Sequence, residues 1–190
     1  MHNKIYTQLF GFALVCATVV LAGLSPQPAV AASAAEIDRQ VDAALKILYE
    51  KTPAAKKQAE SAKGILVFPD VVKAGLVIGG QHGNGALRVG GKTLAYYNTV
   101  EGSFGLQAGA QEFGYALFFM DDKALEYLQK SKGWEIGIGP SITVVDEGLA
   151  GSLTTTTGKD EVYAFFFDQK GLMGGLGLKG GKITQITPDK

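Results

Sequence analysis

From Ile65 onward the hydrophobic pattern has a period of two, carried by β-branched, aromatic and glycine residues. That period places successive side chains on opposite faces of an extended chain, so most of this sequence is suited only to sheet. Glycine accounts for 26 of 190 residues, about twice its usual share of roughly 7%. With only 6 Pro and no Gly-X-Y repeat, collagen-like and low-complexity chains are excluded. The excess glycine must therefore be used inside folded structure. A composition of 46% hydrophobic and 19% charged residues at zero net charge fits a folded domain rather than a disordered tail.

Strand-like runs fall near 65–68, 73–80, 84–90, 93–99, 102–111 and 113–120, then near 134–145, 150–157, 161–168, 171–179 and 182–187. Gly90-Gly91, Gln169-Lys170-Gly171 and Gly180-Gly181 separate such runs as hairpin turns. Helical spacing is confined to two regions. Ser33-Ala34-Ala35-Glu36 has the form of a capping box and leads into Ile37, Val41, Ala44, Leu45 and Leu48. Thr52-Pro53 marks a restart, with Pro at the first helical position, and this second piece stops near Gly64. Asp121 to Gln129 forms the other helix, with acids in its first turn. The predicted fold class is α+β: a predominantly antiparallel, glycine-rich β-sheet with N-terminal helices and one mid-chain helix. Gly105 and Gly109, and likewise Gly137 and Gly139, share a strand face. Each pair predicts close approach of a packed element or a ligand.

Residues 1–32 read as a secretory signal peptide: Lys4, an apolar run over Ile5–Leu24, Pro26 and Pro28, then Ala29-Val30-Ala31-Ala32. Cleavage is expected after Ala31 or Ala32, leaving one domain over 33–190. Cys16 lies mid-run behind Val15, which argues against a lipoprotein. The remaining chain has no Cys and His82 as its only His. That excludes a Cys nucleophile and a Cys/His zinc cluster, and no metal, cofactor or catalytic residue is predicted. His82 sits in His82-Gly83-Asn84-Gly85, read as an exposed turn.

Two phosphate-binding patterns lack their context. Ala86 to Thr93 approximates a P-loop, but the strand-like Thr93-Leu94-Ala95-Tyr96-Tyr97 follows where a helix is needed. Gly175 to Gly180 spells Gly-x-Gly-x-x-Gly with only ten residues left for the required βαβ unit. The carboxylate pairs Asp121-Asp122, Asp146-Glu147 and Asp160-Glu161 stand at helix starts and turns, where acids serve as caps. A hydrolase using such pairs or His82 is the weakest alternative.

Charge is uneven along the chain. Residues 33–92 hold nine Lys+Arg against six Asp+Glu, a net +3; residues 93–190 hold eight against twelve, a net −4. Lys56, Lys57, Lys63, Lys73, Arg88 and Lys92 form the candidate contact set for an anionic lipid or membrane surface. Nothing points to nucleic acid. The alternative is an envelope structural or stress protein with a protein partner.

Ala62 to Pro69, Gly75 to Gly80, Gly102 to Gln111, Lys123-Ala124-Leu125 and Lys170 to Gly175 together resemble the SYLF domain family over nearly all of 36–187. The resemblance implies a lipid-binding module, known in some members for phosphoinositide binding through a basic amphipathic N-terminal portion and in others for actin binding. This chain looks like the bacterial, exported, single-domain kind, so actin binding is not transferred. By analogy, lipid contact falls on 37–63 with Lys73, Arg88 and Lys92. Glu36, Asp38, Asp42 and Glu50 among the bases argue against a phosphoinositide preference.

Overall fold

The computed structural model describes residues 32–75, 78–104, 109–131, 133–145, 160–171 and 180–189. Helix α1 spans Ala34–Lys51 and buries Ile37, Val41, Ala44 and Leu48. Half of the expected capping box is present: Ser33 Oγ accepts from the Glu36 amide at 3.3 Å. The Glu36 carboxylate does not reach back, and accepts instead from Arg39 and Gln40. The Thr52 amide closes α1 on Leu48 O at 2.8 Å. Helix α2, Pro53–Ala59, then starts with proline in its first turn. It stops short of Gly64 because the chain is already turning into the sheet, where the Lys63 amide donates to Phe119 O at 2.8 Å.

Eight strands follow among the described residues: β1 Gly64–Gly75, β2 Ile78–Val89, β3 Lys92–Phe104, β4 Gly109–Phe119, β5 Trp134–Glu135, β6 Ile142–Val145, β7 Val162–Gly171 and β8 Lys182–Ile186, with α3 at Asp122–Lys130 between β4 and β5. They form one sheet in the order β5-β8-β3-β2-β1-β4-β7-β6. All its pairings are antiparallel except β6 with β7. The α+β reading is therefore right, and several boundaries are not. Pro69 does not divide 65–68 from 73–80; β1 runs through it, with register shifts between residues 67 and 71 against both neighbours. Proline cannot donate to a ladder, and a bulge accommodates it. Gln169-Lys170-Gly171 is no turn: Lys170 and Gly171 pair with Glu112 and Gln111. Gly90 and Gly91 do form a hairpin turn, with φ of +56° and +76°. The expected strand at 150–157 and most of that at 171–179 lie outside the described residues.

The sheet is strongly curled. Laid flat, its edge strands β5 and β6 would stand about 34 Å apart, seven spacings of about 4.8 Å. Seven Cα steps from Glu135 to Ile142 reach at most about 25 Å. Curling makes an inner face, where Leu66, Phe68, Leu87, Tyr97, Phe113, Tyr115, Leu117 and Phe119 pack with Trp134, Val162 and Ile183 from near both edges and with Leu125 and Leu128 of α3. The outer face carries Ile65, Val67, Ala86, Ala116, Phe118 and Phe165 beneath α1 and α2. A hydrogen bond from Tyr115 to Thr99, 2.8 Å, joins β4 to β3 across the inner face. Glycine makes this crowding feasible on β2. A Cβ at Gly83 would lie 2.8 Å from Asp70 O and Val71 Cγ2, and one at Gly85 would overlap Val67 O.

The expected glycine faces are corrected. Gly109 has open space around it and φ +143°. Gly137 and Gly139 lie in the turn after β5, with φ of +107° and +98°. All three have backbone conformations that favour glycine, and Gly109 and Gly137 have open space; at Gly139 the expected close approach is met, in a turn, by the Tyr127 ring of α3, 2.5 Å from where a Cβ would stand. Gly105 lies outside the described residues.

Candidate functional site

Five of the six candidate cations gather at one end of the sheet. Ile65 pairs with Arg88 and Arg88 with Thr93, so β1 begins beside the β2–β3 hairpin. Lys63 and Lys92 consequently stand about two strand spacings, or roughly 10 Å, apart. Lys56 and Lys57 occupy the last turn of α2 and are exposed, while Ala55 and Gln58 turn inward. Leu94, 57% exposed, lies two residues from Lys92. Lys73 departs from the set. It lies toward the other end of β1, 8% exposed, in register between Gln81 and Gln111. Burial raises the Glu101 carboxyl above its usual range, and the Lys73 charge acts against that rise.

Arg88 also has a different task. Its guanidinium donates to Asp38 O at 3.1 Å and to Asp42 Oδ1 at 2.7 Å, with the Asp38 carboxylate 3.4 Å away. Asp38 accepts in addition from Thr93 Oγ1 at 2.6 Å and Tyr96 OH at 2.9 Å. Burial and the Asp38 bond raise the Tyr96 phenol. This network ties α1 to the β2–β3 hairpin, and leaves Lys56, Lys57, Lys63 and Lys92 as the solvent-facing members.

The neighbouring-carboxylate pairs serve local structure wherever they are described. Asp121 Oδ1 caps α3 through the Ala124 amide at 2.7 Å. Glu161 accepts from the Ser141 amide and hydroxyl at 2.8 and 3.1 Å. Asp146-Glu147 lies outside the described residues. Among the described residues, no group of three or more His, Cys, Asp or Glu could hold a metal ion, and no helix is long and apolar enough to cross a membrane.

Two features escaped the sequence reading. Asp70, Glu112 and Asp168 surround Lys170, whose Nζ lies 3.4 Å from Glu112 and 3.3 Å from Asp168. The Asp70 carboxyl is raised, first by burial and then by the Glu112 charge. These residues come from three strands, so nothing local in the sequence announces them. The second is an open groove of about 450 Å³ between α1 and the outer face, lined in part by Gln40, Asp70, Val72, His82 and Val100. His82 is not in a turn: it is exposed within β2, its Nε2 2.8 Å from Asn98 Nδ2.

The family model described as Ysc84, Las17-binding protein actin regulator, matches residues 100–188. The SYLF resemblance holds. The matched segment runs from late β3 to just past β8, taking in β4 to β8 and α3. All six candidate cations precede the match. No curated protein matches the chain.

Proposed function

We propose that this protein is a SYLF domain, is exported, has no catalytic role and docks on anionic lipid surfaces through the basic end of its sheet. The observation that carries the reading is the convergence of Lys63 and Lys92 from different strands, beside Lys56, Lys57 and the exposed Leu94. Each Lys near an anionic leaflet contributes about 1 kcal/mol, so four together give weak, salt-sensitive attachment. The apolar run over Ile5–Leu24 with the small residues after Pro28 supports export.

The test is co-sedimentation of the unit from Ala32 to Lys190 with vesicles of graded anionic lipid content at two salt concentrations. Binding should rise with anionic lipid, fall with salt and drop in the Lys56→Glu/Lys57→Glu/Lys63→Glu protein. No binding at any composition would sink the proposal. Lys73→Gln should leave vesicle binding unchanged, because that side chain is buried at the other end of β1.

A further inference from the structure

Arg88 stands at the middle of the basic end without presenting its charge there. On β2 it lies in direct register between Ile65 of β1 and Thr93 of β3. Lys63, two residues before Ile65, and Lys92, one before Thr93, are both exposed. The Arg88 side chain is only 13% exposed, and its Nε is buried with no hydrogen-bond partner among the described residues. What sets it apart from the lysines is Asp42, whose carboxylate, 69% exposed, accepts from Arg88 Nη2 at 2.7 Å.

The two acids on this guanidinium are unequal. Asp38 is 34% exposed and also accepts from Thr93 and Tyr96, so it fastens α1 to β3 whatever Asp42 does. Arg88 in turn keeps the Asp38 carbonyl, 3.1 Å away. Asp42 contributes one contact from an exposed position, the kind of ion pair that adds little to stability. Its carboxylate can therefore swing out while the helix stays seated, and exposed Lys46 stands one turn on, at i,i+4. A phosphate diester offers Arg88 the same chemistry as Asp42 does: anionic oxygens that take charge-assisted bonds from the guanidinium fork. An anionic leaflet lying over Lys63 and Lys92 brings such groups to this spot.

We propose that Asp42 is an internal stand-in for a lipid phosphate: its carboxylate occupies Arg88 in the free protein, and a headgroup phosphate takes its place on docking. Arg88 is then a fifth lipid-contacting cation, held in reserve, and Asp42 sets how much anionic lipid docking requires. This inference rests on the lipid reading above and adds a contact that forms only at the membrane.

The test repeats the vesicle measurement above, with phosphatidylglycerol in phosphatidylcholine as the anionic component, on Asp42→Ala and on Glu60→Gln. Glu60 is exposed just after α2, beside Lys56 and Lys57, and is the control. Each variant gains one unit of net charge, so long-range attraction raises the two alike. A headgroup bonded to the freed guanidinium should carry Asp42→Ala about fivefold further in partition coefficient, the contribution of one cation at an anionic leaflet. In the Arg88→Gln background that excess should vanish, leaving equal gains. Asp42→Ala keeps the Asp38 bonds, so its melting temperature should match the parent's. The comparison of the two single variants decides the matter even where Arg88→Gln proves unstable. Equal gains in those two, or an Asp42→Ala excess that persists without Arg88, would overturn the stand-in and leave docking through the four lysines in place. Failure of every variant to bind would overturn both readings.

Discussion

At the scale of single residues, glycine divides into two uses. Gly85 stands where any side chain would overlap the Val67 carbonyl and crowd Phe68. Gly85→Ala should therefore destabilise the domain by about 2–3 kcal/mol, as overpacking of a filled core does. Gly102 meets nothing within 4 Å and has no positive φ, so Gly102→Ala should leave stability within about 0.5 kcal/mol. Chemical denaturation of the two variants beside the parent checks both expectations. Asp70 offers a pH test. Its folded carboxyl is raised by burial and by Glu112, so ionising it opposes folding. That cost is fully present above the raised folded value and disappears below the unfolded value of about 3.9. Asp70→Asn should stabilise the protein at pH 7 and make little difference near pH 3. Destabilisation at pH 7 would show that the ionised group is held favourably.

At the scale of elements, α1 was legible from its period and its cap, whereas its attachment was not. The buried stripe Ile37, Val41, Ala44 and Leu48 follows from spacing alone. Asp38 and Asp42 looked like acids diluting a basic helix, yet they hold Arg88 and, with it, the β2–β3 hairpin. Their partners lie 46 to 58 residues away in sequence, beyond the reach of any local pattern. A double-mutant cycle on Asp38→Ala and Tyr96→Phe should show coupling of about 0.5–3 kcal/mol, because the phenol and Arg88 share one carboxylate. Strict additivity would mean that α1 is held by its apolar stripe alone.

At the scale of the molecule, curling brings distant elements into one core. Trp134, the sole Trp, is 1% exposed and donates its indole N–H to Ile138 O at 2.9 Å. It packs against Phe119 of β4 and Tyr127 of α3, with ring centroids 5.9 and 6.4 Å away. Its emission should report a buried indole, and should shift on denaturation together with the far-ultraviolet sheet signal, as one cooperative transition. An earlier Trp134 transition would show that β5 and α3 detach before the sheet opens.

The sequence by itself determined the α+β class, the Ser33 cap of α1, the Gly90-Gly91 hairpin and the family resemblance, because each is written in neighbouring residues or in a short ordered pattern. Only the tertiary structure decided which cations face solvent together. A strand shows its alternation in sequence, but its neighbours, its register and the curl of the sheet are settled by pairing between distant segments. That pairing turned Lys73 inward, bound Arg88 to Asp38 and Asp42, and left Lys63 and Lys92 exposed at the same end of the sheet, two strand spacings apart.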